Sequence, residues 1–279
     1  MTRLEGKTIA KAMREDMAKD LEKLTSAGIK PGLRVILIGN DPAAASYVRM
    51  VEKRSNKDGL DAQVIYLEET VAENDLIEQI QTLNEDEAVH GILVQMPLPK
   101  HIDKNKVVET ISPNKDVDGF HELNAGKLYA GKDGLYPCTP YGVIHMLEYS
   151  GIEIEGKHAV VIGRSNVVGK PVAMLLLQRN ATVTLCHSRT KDLSKHTKEA
   201  DILIAAAGRP HMVTRDMVKE GAVVIDVGIH EVDGAITGDV DYDSVKDVAG
   251  FLTPVPGGVG TTTIATLSWN TIKAALKTL

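Results

Sequence analysis

Apolar positions along this chain follow two alternating periods. Ile9, Met13, Met17, Leu21 and Leu24 recur every three or four residues, which predicts an amphipathic helix ended by Gly28 and Pro31. Leu33-Arg-Val-Ile-Leu-Ile38 is instead a nearly continuous apolar run, as a strand covered on both faces requires, and Gly39-Asn-Asp-Pro42 closes it. Asp41 before Pro42 reads as an N-cap with proline at the first helical position. The helix it opens carries Ala44, Tyr47, Val48 and Val51 on one stripe. Val64-Ile-Tyr-Leu67 predicts the next strand, Leu76, Ile77, Ile80 and Leu83 a helix, and Gly91-Ile-Leu-Val-Gln95-Met96-Pro97 a third strand. This alternation predicts an α/β fold with a parallel sheet.

Asp116-Val-Asp118-Gly119 reads as a turn, and Pro137-Cys-Thr-Pro140 as a rigid linker before a helix over Tyr141 to Tyr149. The proline pair sets a boundary between a first domain, residues 1–138, and a second, residues 139–261. The second opens with Ala159-Val-Val-Ile-Gly163-Arg164-Ser165-Asn-Val-Val-Gly169-Lys-Pro171, in which an apolar strand enters a glycine turn and then a helix. Free N–H groups at such a helix N-terminus form a phosphate site. Ser165 stands where a full dinucleotide fingerprint has its second glycine, so the segment by itself also fits a tight βα turn. The next strand, Ala181-Thr-Val-Thr-Leu-Cys186, ends in His187-Ser188-Arg189. In a dinucleotide fold this strand end, about 20 residues past the glycines, faces the adenosine ribose. An acidic residue there selects NAD. Arg164, Ser188 and Arg189 suit a 2′-phosphate and predict NADP. Two further strands end at Gly208 and Gly228. Pro254-Val-Pro256-Gly257-Gly258-Val-Gly260 is a backbone-rich loop suited to close approach by a ligand, and Ile264, Leu267, Ile272, Ala275 and Leu279 predict a final helix.

Composition narrows the classes. The 279 residues suffice for two cores, and 43% hydrophobic with 25% charged residues suits a globular protein. A net charge of −6 with no basic stripe argues against nucleic acid. Cys138 and Cys186 are too few for a disulfide framework and form no metal-spaced pair, so no metal is expected. No signal peptide opens the sequence and no apolar run approaches about 18 residues, which predicts a cytoplasmic protein without membrane contact.

Several segments together resemble the bifunctional methylenetetrahydrofolate dehydrogenase/methenyltetrahydrofolate cyclohydrolase family. They are Gly39-Asn-Asp-Pro42 with Ser46-Tyr47-Val48, Gly91-Ile-Leu-Val-Gln95-Met-Pro-Leu-Pro99, Lys115-Asp-Val-Asp118-Gly119, Asn124-Ala-Gly-Lys127 and Pro137-Cys-Thr-Pro140. Val161-Ile-Gly-Arg-Ser165, Cys186-His-Ser188 and Pro254-Val-Pro-Gly-Gly-Val-Gly260 continue the likeness. The resemblance implies a folate-binding catalytic domain at 1–138, a Rossmann-type doubly wound NADP domain at 139–261 and a cleft between them. The final helix, residues 262–279, would pack back onto the first domain, and the protein would be a homodimer. Family members oxidise methylenetetrahydrofolate with NADP, and most then hydrolyse the methenyl cation to 10-formyltetrahydrofolate.

Carried over, Asp118 would hold the pterin's amino edge, Tyr47 would line the folate site, and Gln95 would lie near the reacting carbon. Pro256, Gly257 and Gly258 would border the substrate. Gly163, Arg164, Ser165, Ser188, Arg189, Gly228 and Ile229 would hold NADP. One departure matters: the family places a catalytic lysine four residues after this tyrosine, and here that position is Val51. Lys53 points about 200° away on a helix, and Arg54 cannot give up its proton. His121 is a nearby titratable alternative. Thr261 stands where the family usually has proline. Dehydrogenation needs chiefly alignment, whereas hydrolysis needs a positioned acid/base, so loss of the lysine should damage hydrolysis more. A fully bifunctional enzyme using another group, and a folate- or NADP-binding paralogue without turnover, are the alternatives; a generic amino-acid dehydrogenase is a weaker one.

Overall fold

The computed structural model describes residues 1–279. Its elements in chain order are β1 (Thr2–Arg3), α1 (Gly6–Ser26), β2 (Gly32–Ile38), α2 (Pro42–Lys57), β3 (Asp61–Leu67), α3 (Glu73–Glu85) and β4 (Gly91–Val94). Then come α4 (Lys104–Thr110), α5 (Glu122–Tyr129), α6 (Cys138–Tyr149), β5 (His158–Ile162), α7 (Gly169–Leu177), β6 (Thr182–Cys186), α8 (Leu193–Thr197) and β7 (Ile202–Ala205). The last are β8 (Val223–Asp226), β9 (His230–Val232), β10 (Ala235–Thr237), α9 (Tyr242–Val245), β11 (Phe251–Leu252) and α10 (Val259–Leu276). They form two compact units, one of residues 13–138 with 264–279 and the other of residues 1–12 with 139–263.

The first unit is built on a parallel sheet in the order β3-β2-β4. The apolar run of β2 is buried on both faces, and Ile36, Ile38, Leu76, Ile80, Ile92 and Val94 form one continuous core. Proline at the start of α2 has no N–H to lose, and the Asp41 carboxylate accepts from Ala44 N at 2.7 Å, so the helix starts where its cap dictates. Val48, Val51 and Ser55 form its buried stripe.

The second unit carries a six-stranded parallel sheet, β1-β11-β8-β7-β5-β6. The first twelve residues belong here and not with residues 13–138 as the sequence suggested. The cause is β1, too short to show a period, which pairs with β11 in the register Thr2↔Phe251. Two other boundaries differ from expectation. Helix α6 starts at Cys138 and takes in Thr139 and Pro140, because proline within the first turn forfeits no intrahelical bond. Helix α10 starts at Val259, and its part from Ile264 onward packs with the first unit, where Asn270 Nδ2 donates to Val117 O and Tyr136 O. No helix is long and apolar enough to cross a membrane.

Candidate active site

At the carboxyl end of β4, Tyr47, Leu93, Val94, Gln95, Met96, Asp118 and Phe120 line an open cavity of about 230 Å³. Three elements deliver its polar groups. Tyr47 comes from the second turn of α2, Gln95 directly follows β4, and Asp118 sits in the turn before α5. The structure thus brings together Tyr47, Gln95 and Asp118, three of the six residues that the resemblance implies for the substrate.

Asp118 is held from both sides. The buried Asp116 carboxylate accepts from the backbone N–H groups of Gly119, Phe120 and His121 at 2.9–3.2 Å and from Asn124 Nδ2 at 2.9 Å. Val117 O accepts from Asn270 Nδ2 at 2.8 Å and from Cys138 Sγ at 3.2 Å. Gly119 closes the turn at φ +73°, where a Cβ would also meet Pro137 N at 2.5 Å, so glycine is required. Burial, with Asp116 nearby, pushes the Asp118 carboxyl up to about 7, while Lys104 opposes the shift. Burial, and then the charge of Asp118, raises the Tyr47 phenol well above its ordinary value, so it stays a neutral donor. Gln95 Nε2 donates to Met96 O at 2.7 Å, which restrains the amide at the cavity wall.

Val51 lies fully buried one turn beyond Tyr47 and does not line the cavity. Beyond it the stripe turns polar, where Ser268 Oγ meets Asp58 Oδ2 at 3.2 Å and Arg14 Nε donates to Asp58 Oδ1 at 2.5 Å. Lys53 is exposed, Arg54 half-buried, and neither lines the cavity. His121 does not line the cavity either. Its Nδ1 accepts from Leu123 N at 3.1 Å, so the ring serves as the N-cap of α5.

In the second unit, β5 enters α7 through a loop that only glycine fits. At Gly163, φ is +121° and a Cβ would lie 2.0 Å from Ala206 O; at Gly169 it would lie 2.0 Å from Gly163 O. The N-terminus of α7 departs from the expected row of free donors, because Ser165 Oγ itself accepts from Val168 N at 3.1 Å and Gly169 N at 3.4 Å. Gly163 N donates to Cys186 O at 2.9 Å, which joins the ends of β5 and β6 and brings exposed Arg164 to exposed Ser188 and Arg189. Gly228 and Ile229 follow β8, and Ile229 is 65% exposed. The proline–glycine loop is partly committed to its own chain. Gly258 is buried, and a Cβ there would meet Pro254 O at 2.4 Å; Gly6 N donates to Gly257 O at 2.9 Å. Its closest approaches are therefore to its own chain, leaving Pro256 and Gly257 exposed.

Two family models divide the chain between residues 118 and 137, close to the boundary at residue 138 between the two units. The model of the tetrahydrofolate dehydrogenase/cyclohydrolase catalytic domain matches residues 4–118, and that of the family's NAD(P)-binding domain matches residues 137–279. The chain belongs to the tetrahydrofolate dehydrogenase/cyclohydrolase family. The bifunctional protein FolD of Halothermothrix orenii is 54% identical over 273 residues, covering 97% of this chain and 96% of that protein. The Campylobacter jejuni bifunctional FolD methylenetetrahydrofolate dehydrogenase/cyclohydrolase superposes with a TM-score of 0.97 at 47% identity, covering 100% of both chains. The Trypanosoma brucei FolD dehydrogenase-cyclohydrolase, solved with NADP and an inhibitor, gives 0.91 at 37% identity, covering 98% of this chain and 97% of that one.

Within this family fold, sequence reasoning overlooked the groups that aim the site. Asp116 reads in the sequence only as part of a turn, and nothing there singles out Asn270. Neither carries a clear local signal, because Asp116 stands among Lys115, Asp118 and Gly119, and Asn270 between Trp269 and Thr271. The dinucleotide fits the second unit, since the glycine turn between β5 and α7 stands beside the exposed Arg164 and Arg189 at the carboxyl ends of β5 and β6.

Proposed function

We propose that this chain oxidises 5,10-methylenetetrahydrofolate to 5,10-methenyltetrahydrofolate with NADP, and hydrolyses the product to 10-formyltetrahydrofolate only weakly because Val51 replaces the family lysine. The convergence of Tyr47, Gln95 and Asp118 on one cavity carries the reading. The Asp118 carboxylate accepts two N–H bonds from the pterin edge and fixes the ring. Tyr47 donates from its neutral phenol, and Gln95 faces the reacting carbon.

Gly163, Arg164, Ser165, Ser188, Arg189, Gly228 and Ile229 hold NADP, whose oxidised nicotinamide accepts the hydride. These residues contribute binding and alignment, which is what hydride transfer chiefly needs. Hydrolysis instead needs a water deprotonated and a ring nitrogen reprotonated, work worth about 100- to 10,000-fold from a positioned acid/base. The fully buried Val51 supplies neither. The family resemblance also supports a homodimer and a cytoplasmic location.

A dual assay tests the reading by following NADPH formation and methenyl decay separately. NADPH formation should run well ahead of enzyme-catalysed methenyl loss. Equal rates would mean that another group does the lysine's work, and binding without turnover would make the chain a paralogue without activity. Arg164→Ala should raise the KM for NADP roughly tenfold and that for NAD far less, because a charge-assisted contact is worth about 1.5–3 kcal/mol. Equal changes for both cofactors would remove Arg164 from the 2′-phosphate site.

A further inference from the structure

Two buried aspartates stand at the carboxyl ends of the strands in the six-stranded sheet, and no step above uses them. Asp226 ends the apolar run of β8. Its carboxylate accepts from Gly228 N, Asp239 N and Val240 N, each at 2.9 Å. Asp239 is fully buried and accepts from Ala207 N at 2.5 Å, Gly208 N at 3.0 Å and Arg209 N at 2.9 Å. The pair therefore ties together the segments after β7, after β8 and after β10. Glycine is required at both close approaches, since a Cβ on Gly228 would meet Asp239 Oδ1 at 2.5 Å and one on Gly238 would meet Asp226 Oδ2 at 1.9 Å.

His230 adds a side-chain donor to this network. Its Nε2 lies 2.7 Å from Asp239 Oδ1, the oxygen that also takes the Arg209 N–H. His230 begins β9, immediately after Ile229, and pairs with Thr237 across the β9–β10 hairpin. His211 ties the far strand of the hairpin, through Thr237 Oγ1 and Gly238 O, whereas the His230 contact pins the near strand at the residue that follows Ile229. Both the neutral Nε2–H tautomer and the protonated ring can donate here.

Sheet order says which half of the cofactor these segments serve. Gly163, Arg164, Ser188 and Arg189 follow β5 and β6, whereas β7 and β8 lie on the other side of β5. In a doubly wound dinucleotide fold the two mononucleotide halves flank the glycine-loop strand in this way. We propose that His230 is a positioning residue for the nicotinamide half of the dinucleotide, holding Gly228 and Ile229 in place through Asp239. This rests on the NADP reading above.

The test compares two probes on the full chain, NADPH and adenosine 2′,5′-bisphosphate, which carries only the adenosine half. His230→Leu removes the donor at similar bulk and should raise the NADPH Kd about tenfold while leaving the bisphosphate Kd within twofold. His230→Gln places an amide N–H at the same number of bonds from the backbone and should restore NADPH binding. Should the leucine variant not fold, His230→Ala makes the same comparison. Unchanged NADPH binding in the donor-less variant, equal weakening of both probes, or failure of glutamine to rescue would each overturn the assignment. Wild-type protein that bound neither probe would instead overturn the dinucleotide reading, and this inference with it.

Discussion

Asp118→Asn should lower kcat/KM for methylenetetrahydrofolate about a hundredfold or more while leaving the NADP Kd unchanged. The carboxylate can accept from two pterin donors at once, whereas an amide must turn one N–H against a ligand N–H. Each charge-assisted bond is worth about 1.5–3 kcal/mol, and two of them account for the expected loss. The scaffold should survive, because Asp116, not Asp118, carries the hydrogen bonds that hold the turn. A melting temperature near that of wild type would establish this. If folate turnover persisted in the variant, Asp118 would be a turn residue only.

The same residue should set a pH limb. Its carboxyl is pushed up to about 7, chiefly by burial, so below that pH the free protein carries a proton where the pterin needs an acceptor. Protonation disfavours binding, hence kcat/KM for folate should rise with pH and level off above about 7. Asn cannot titrate, so its residual profile should be flat across that window. A wild-type limb centred near the ordinary carboxylate range would show that the site is more open to water than the cavity indicates.

How much of this was legible beforehand follows from how far each signal reaches along the chain. Strands β2, β5, β7 and β8 were visible because a strand buried on both faces needs consecutive apolar residues, and that constraint is local. Helix α2 announced itself through Asp41 and Pro42 for the same reason. Tyr47, Gln95 and Asp118 were picked out by resemblance, but their meeting in one cavity depends on the pairing of β2 with β4 and on the Asp116 turn, which no local period encodes. The two-residue β1 and the short helices α4, α5 and α8 offer too few positions for a period to show. Ser165 illustrates a different failure. A hydroxyl inside a glycine turn reads as a gap in a fingerprint, whereas in the structure it accepts N–H groups at the start of α7. His230 and Asp239 are nine residues apart and meet only because the β9–β10 hairpin folds between them.

Val51→Lys should raise methenyl hydrolysis at least tenfold while changing hydride transfer much less. Position 51 lies about 6 Å along the helix axis from Tyr47, which at first argues that a lysine there would be buried in the core and miss the cavity. Helix geometry resolves the difficulty. Side chains lean toward the helix N-terminus over the preceding turn, so the long stem of a lysine at 51 would run back along Tyr47 and carry its nitrogen to the cavity. Burial should lower the ammonium pKa and put it within reach of proton transfer near neutrality, with the raised Asp118 carboxyl and the Tyr47 phenol as its neighbours. Exchanging a buried valine for an ionisable group should cost about 3 kcal/mol of stability, visible as a lower melting temperature. Ser55 and Asp58, one and two turns further on, are already engaged with Ser268 and Arg14 and offer no competing site that would draw the lysine away. A folded lysine variant that bound folate yet hydrolysed methenyl-folate no faster would refute the role assigned to this position.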